Sequence, residues 1–259
     1  MKKLFIILIC LLIGSPVFAA NTYSGATFQG AVVGGGTEAG CTPSYVFTEN
    51  ADCSSGCAAN CSGTDGLANC FNTWTPSGTV TFTGNALEGS NSIRVDETGG
   101  VGSAYLAFTA ADNAYVHLIF TISANPSTSK LISGLRTTST ERGKLQITST
   151  GQLRIYHGTV YGTTAGTMTA GTAYHIWYSY EKDPGGGAGK AYAMFSDTST
   201  KPDTSTCAGL HNNCVYISTG DGATTVNRLY LAAGTTAKVL TFDHIGVSTA
   251  GGDICSPTP

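Results

Sequence analysis

The six glutamates of this chain, Glu38, Glu49, Glu88, Glu97, Glu141 and Glu181, are strung out so that no two fall within five residues of each other. Hydrolysis of a glycosidic bond needs two carboxyl groups, about 5–5.5 Å apart for retention or roughly 6.5–9.5 Å apart for inversion. Glu181-Lys182-Asp183 is the nearest approach to such a set, but Pro184 and three glycines follow at once. A strand would end there, and a third carboxylate is missing. Serine is abundant, yet no G-x-S-x-G elbow presents one as a nucleophile. Gly185 to Lys190 reads GGGAGK. Pro184 stands where a phosphate loop needs its first glycine, and Ala191 where it needs Ser or Thr. A hairpin turn accounts for this run.

What remains is a set of polar and aromatic groups: Tyr115, His117, Gln146, Arg154, Tyr156, His175 and Trp177. Aromatic rings stack on sugar faces, and amide, imidazole and guanidinium groups hydrogen-bond the hydroxyls. To act together these residues must be held on one surface. The elements that carry them read as short strands, because apolar and polar residues alternate with period two. In 114–123, Val116, Leu118, Phe120 and Ile122 share one face, and Tyr115, His117 and Ile119 the other. Leu145 and Ile147 oppose Gln146, and Leu153 and Ile155 oppose Arg154 and Tyr156. In 173–181, Ile176, Tyr178 and Tyr180 oppose His175 and Trp177. If neighbouring strands align their second faces, the seven residues form one polar-aromatic sheet surface.

Strands are expected at 79–83, 92–96, 104–109, 114–123, 130–137, 144–148, 152–157, 173–181, 190–196, 215–218, 228–232 and 240–248, with turn residues between most of them. No stretch has helical periodicity with caps. Trp74, just before Thr75-Pro76, is expected at a sandwich edge. The composition agrees: 38 Thr, 34 Gly and 23 Ser among 259 residues, and 11% charged, against roughly 25% in an ordinary domain. Many short strands with Thr at outward positions are the signature of an all-β sandwich or barrel, here with a disulfide-rich segment before it. With 41% hydrophobic residues the chain is not disordered. Thirteen Lys and Arg against sixteen Asp and Glu exclude a nucleic-acid binder.

The N-terminus reads as a secretory signal. Lys2 and Lys3 precede the apolar run Leu4–Ile13, Gly14-Ser15-Pro16 breaks it, and cleavage is expected after Ala19 or Ala20. The run is too short to span a bilayer, so no membrane span is expected in the mature chain. Cleavage leaves 11 basic against 16 acidic residues, a net charge of −5. It also leaves eight cysteines: Cys41, Cys53, Cys57, Cys61, Cys70, Cys207, Cys214 and Cys255. An even number in an exported chain implies disulfides. Cys207 and Cys214 enclose a short loop and are the easiest pair. Cys41 and Cys255, near the two ends, are a second candidate pair, and the other four then pair among themselves. Their C-x3-C-x3-C-x8-C spacing does not match that of structural zinc sites. The organisation is therefore a signal peptide 1–20, an extension 21–43, a sandwich 44–250 with a cysteine-rich stretch at 41–70, and a tail 251–259.

Three runs have a further significance. Lys144 to Gly158 reads KLQITSTGQLRIYHG, Tyr174 to Glu181 reads YHIWYSYE, and Phe242 to Ser248 reads FDHIGVS. In this order and separation they resemble the laminin G-like domains of the concanavalin A-like lectin/glucanase superfamily, over roughly residues 75–250. The resemblance implies a jelly-roll sandwich of two antiparallel sheets, whose concave face or rim loops bind glycans or proteins, often with calcium. The chain departs from the pattern in its cysteine-rich stretch, in Tyr174 where Trp is common, and in Asp243-His244 where an acidic pair is usual. The glucanase run E-x-D-x-x-E and the lyase runs R-x-E-x-R and Q-I-H are missing. No calcium loop is present, and Asp96, Asp112, Asp221 and Asp243 are the candidate carboxylates for such a site. The expected function is a secreted, non-catalytic module that binds glycan or a cell-surface protein. The alternatives are a secreted carbohydrate-active enzyme, lyase before hydrolase, or a structural envelope or matrix protein. The expected location is outside the cell, on its surface or in the periplasm.

Overall fold

Fifteen strands and no helix make up the described part of the computed structural model, which covers residues 45–49, 74–78, 80–83, 87, 92–97, 102–183, 189–202, 207, 212–217, 224–231 and 238–249. In chain order the strands are β1 (Tyr45–Glu49), β2 (Trp74–Ser77), β3 (Val80–Thr83), β4 (Ser92–Asp96), β5 (Ser103–Ala111), β6 (Asn113–Ile122), β7 (Lys130–Arg136) and β8 (Glu141–Ile147). There follow β9 (Leu153–His157), β10 (Val160–Thr163), β11 (Tyr174–Glu181), β12 (Ala191–Ser196), β13 (Cys214–Ile217), β14 (Val226–Leu231) and β15 (Val239–Ser248). Each run expected from the sequence is a strand, with its ends moved by three residues or fewer. The sequence reading missed β1, β2 and β10, which are short. Pro76 argues against a strand, and is tolerated because β2 is, among the described strands, at the edge of its sheet. The signal peptide, the extension, the C-terminal tail and Cys41, Cys53, Cys57, Cys61, Cys70 and Cys255 lie outside the described residues.

The strands form a jelly-roll sandwich of two antiparallel sheets. The eight-stranded sheet has the order β13-β12-β11-β6-β15-β4-β3, with β1 also paired to β15. The seven-stranded sheet has the order β10-β9-β8-β7-β14-β5-β2. The chain crosses between sheets repeatedly, so each sheet mixes strands from distant parts of the sequence.

The alternation read from the sequence decides what lies between the sheets. Val116, Leu118, Phe120, Ile122, Ile176, Tyr178, Tyr180, Leu240 and Phe242 face inward from the larger sheet. They meet Leu145, Ile147, Leu153, Ile155, Leu229 and Leu231 from the smaller one. Each full burial contributes about 1.5–3 kcal/mol relative to exposure. Gly162 of β10 points inward at Val215 of β13, and a Cβ there would collide with the valine side chain. That glycine allows the two edge strands to approach each other.

The final strand shows how the core constrains the backbone. Leu240 and Phe242 are inward, and so are Ile245 and Val247. The apolar phase therefore slips by one residue, and the pairing register with β6 shifts between Asp243 and Gly246. A bulge absorbs the extra residue. There His244 takes a positive φ of 42°. Buried Asp243 accepts the His244 backbone N–H at 2.8 Å and the Ser92 hydroxyl at 2.9 Å. Across the bulge, β15 changes partner on one side from β4 to β1.

Two tyrosine hydroxyls inside the core are satisfied. Ser133 Oγ donates to the Tyr230 carbonyl at 2.9 Å, so the Tyr178 hydroxyl donates to Ser133, at 2.6 Å. Burial holds Tyr178 protonated by pushing its ionisation well above the ordinary value. The Tyr180 hydroxyl donates to the Thr224 carbonyl at 2.8 Å. Tyr178→Phe should therefore cost only about 1 kcal/mol in urea unfolding, because Ser133 keeps an acceptor. Phe120→Ala, which empties the space beside Phe242, should cost about 3–5 kcal/mol in the same measurement.

Candidate functional site

The topology divides the seven candidate residues between two surfaces. Tyr115 and His117 on β6 and His175 and Trp177 on β11 point away from the core of the eight-stranded sheet. Gln146 on β8 and Arg154 and Tyr156 on β9 point away from the core of the seven-stranded sheet. The two sets are back to back, with the sandwich core between them. The expectation of a single shared surface is corrected here. Alternation distinguishes inward from outward but does not say to which sheet a strand belongs.

The first set is covered. Trp177 and His117 are 0% exposed, and Tyr115 is buried as well. With Tyr192, Met194, Cys207 and Cys214, Tyr115 and Trp177 form a second, smaller apolar cluster outside the main core. Cys207 comes from the connection between β12 and β13 and is joined to Cys214 by a disulfide, the short-loop pair expected from the sequence. Lys201, from the same connection, lies 5.2 Å above the Tyr192 ring. Beneath this cover, His117 Nε2 and His175 Nδ1 are hydrogen-bonded at 3.1 Å, and both rings pack against Trp177. The Tyr115 hydroxyl donates to Glu181 at 3.2 Å. Burial, above all, holds the His117 imidazole well below its ordinary value, and the charges that His175, His244 and Lys201 place nearby add to it.

The second set is open and larger than the sequence suggested. Pairing registers place Tyr161 opposite Tyr156, Tyr156 opposite Lys144, Lys144 opposite Gly134, Gly134 opposite Tyr230, and Tyr230 opposite Tyr105. One row thus crosses six strands, from β10 to β5. Flanking it are Thr163, Arg154 and Gln146 on one side and Arg136 and Arg228 on the other. Among the described residues, Tyr161 is the most exposed aromatic, at 56%. Each of four rings has a cation over it. Arg136 Cζ is 3.6 Å from the Tyr230 centroid, and Arg228 Cζ is 4.5 Å from that of Tyr105. Lys144 Nζ is 4.7 Å from the Tyr156 centroid, and Arg154 Cζ is 4.9 Å from that of Tyr161. These contacts are electrostatic attractions to the ring quadrupole and fix the side chains in place. Tyr105, Arg136, Lys144, Tyr161, Arg228 and Tyr230 were not singled out from the sequence. Arg136 and Lys144 had a signal in their strand alternation, but only the register brings all six beside Tyr156 and Arg154.

The carboxylates are placed as follows. Glu141 is bound by Arg136 and by Lys144, the latter at 3.4 Å. Asp96 pairs with Arg94 at 2.9 Å, and Asp112 with Lys182 at 3.0 Å. Asp221 lies outside the described residues. Among the described residues, no group of three or more His, Cys, Asp and Glu is arranged to hold a metal ion. No helix among them is long and apolar enough to cross a membrane.

No protein-family model matches the chain, and no curated protein matches it. Among solved structures, one described as a sialidase matches over 69% of this chain and 17% of its own, at TM-score 0.50 and 12% identity. The binding domain of Paraclostridial Mosquitocidal Protein 1 matches over 69% of this chain and 44% of its own, at TM-score 0.48 and 9% identity. Cellulose induced protein, Cip1, matches over 69% and 92%, at TM-score 0.45 and 13% identity. The chain thus spans less than half the length of the first two. At this identity the likeness to the sialidase is one of fold, and it agrees with the β-sandwich described above.

The buried His117 sets a pH dependence. Its folded value is lowered, so the unfolded chain binds more protons below about pH 6.5, and stability present above that point is lost as pH falls. The thermal midpoint should fall between about pH 7 and about pH 5, and His117→Gln, which does not titrate, should flatten that part of the profile.

Proposed function

We propose that this chain is a secreted, non-catalytic glycan-binding module of the laminin G-like kind, and that it carries its ligand on the outer face of the seven-stranded sheet. The single observation that supports this reading is the row Tyr161–Tyr156–Lys144–Gly134–Tyr230–Tyr105 with its flanking arginines. Tyrosine rings present apolar faces to the C–H faces of sugars, and their hydroxyls, with Gln146 and the cations, serve the sugar hydroxyls. The row spans five inter-strand steps, or roughly 24 Å at about 4.8 Å each. That length fits an extended chain better than a single sugar.

Two further features accord with the reading. The Cys207–Cys214 disulfide suits an oxidising compartment outside the cytosol, as the N-terminal signal does. The only carboxylate on the strands of this sheet is Glu141, and Arg136 and Lys144 already engage it. Hydrolysis needs a pair of carboxylates, and calcium takes about six to eight oxygen ligands, so the strands of this face favour a reading that relies on neither.

The test is a glycan array and a polysaccharide panel, each with and without chelator. We expect retention that chelator leaves unchanged and that Tyr156→Ala weakens by about tenfold, or roughly 1.4 kcal/mol. Trp177→Ala should lower stability, because the ring is buried. No retention on any glycan would favour the structural-protein reading. Release of reducing ends or of unsaturated uronate would make the protein an enzyme.

A further inference from the structure

The charges of this protein are sorted between its two sheets. The strands of the seven-stranded sheet carry six cations, Lys130, Arg136, Arg142, Lys144, Arg154 and Arg228, against one anion, Glu141. The strands of the eight-stranded sheet carry one cation, Arg94, against Glu49, Asp96, Glu181 and Asp243. The chain as a whole has a net charge of −3. A local surplus of five positive charges on one sheet therefore runs against the overall balance. Few charged residues are used anywhere in the chain, which makes their concentration here a specific feature of this sheet.

Four of these cations lie on the tyrosine face, and they are held in place. Each is stacked on a ring as described above, and further bonds fix their orientation. Arg154 donates from Nε to the Thr163 hydroxyl at 3.2 Å, which leaves its two terminal nitrogens to solvent or ligand. Arg228 donates from one terminal nitrogen to the Thr138 carbonyl at 2.8 Å, which leaves the other. Among the described residues, neither arginine has a carboxylate partner. Glu141 balances one of the two charges of Arg136 and Lys144, so three positive charges on the face remain uncompensated. Cations ordered in advance lose little side-chain entropy on meeting an anion, and guanidinium groups take carboxylate and sulfate oxygens through paired hydrogen bonds.

We infer that the ligand of this face is an acidic polysaccharide, with carboxylate or sulfate groups that meet Arg154, Lys144 and Arg228 while its sugar rings lie along the tyrosine row. The inference rests on the glycan reading above and adds the charge of the ligand to it. β9 and β14 are three strands apart, about 14 Å at the usual spacing. One sugar does not bridge Arg154 and Arg228, whereas successive acidic units of one polymer do.

The test is equilibrium binding of the purified protein to dextran, dextran sulfate and polygalacturonate, with a single-stranded polynucleotide as a further polyanion, over a series of NaCl concentrations. We expect dextran sulfate or polygalacturonate to bind at least about tenfold more tightly than dextran, with affinity that falls steadily as salt rises, as counterion release requires. Which of the two binds better distinguishes sulfate from carboxylate recognition. Arg154→Gln with Arg228→Gln should weaken the acidic polymers by roughly tenfold or more and flatten the salt dependence. The salt series on the unaltered protein decides the matter even if the double variant does not fold. Equal binding of dextran and the acidic polymers without salt dependence would overturn this inference and leave the glycan reading intact. Binding to no polysaccharide would overturn both. Polynucleotide bound as tightly as polygalacturonate would overturn the choice of a glycan in favour of a general polyanion surface.

Discussion

The sandwich depends on keeping one alternate set of side chains between its two sheets. Strand side chains point to opposite faces with a period of two, so a slip of one residue would turn Val116, Leu118, Phe120 and Ile122 out and bring Tyr115, His117 and Ile119 in. The rest of the backbone accommodates this requirement. Where the apolar phase of β15 changes, a bulge at Asp243–His244 takes up the extra residue, although it places His244 in a left-handed conformation. Where β10 must lie close to β13, glycine at 162 leaves room for Val215.

Once the inward set is chosen, the outward set is determined for each strand, and the two sheets use theirs differently. The outer face of the eight-stranded sheet is itself covered. Trp177, Tyr115 and Met194 pack with the Cys207–Cys214 disulfide, and His117 is desolvated beneath them. This side of the molecule is therefore a second packing layer, in which a titratable group is held neutral. The outer face of the seven-stranded sheet remains accessible and carries ordered tyrosine–cation pairs. One requirement, that alternate residues face inward, thus yields an extra buried layer on one side and a chemically rich surface on the other.

The scarcity of charge takes on a different meaning in this light. On average the chain looks electrostatically quiet and slightly acidic. Averages conceal placement, and a sheet gathers strands far apart in sequence. Arg136 and Arg228 are 92 residues apart in the sequence and yet stand opposite each other across β7 and β14. The basic character of the face is a product of strand order.

By itself, the sequence determined most of the segments that are strands, which residues of those face inward, and that Cys207 and Cys214 are the easiest pair to join, because alternation and a short loop are local properties. It did so least well where the local signal is weak: β2 contains Pro76, and β10 is four residues long with a glycine. Of the seven candidate site residues it recovered the outward direction of each, from Tyr115 to Trp177. The tertiary structure alone decided that Gln146, Arg154 and Tyr156 share a face with Tyr105, Arg136, Lys144, Tyr161, Arg228 and Tyr230, and that His117 and Trp177 lie buried on the other side. The physical reason is that sheet membership and strand order come from non-local pairing and from the chain's crossings between sheets, to which a period of two within one strand makes no reference.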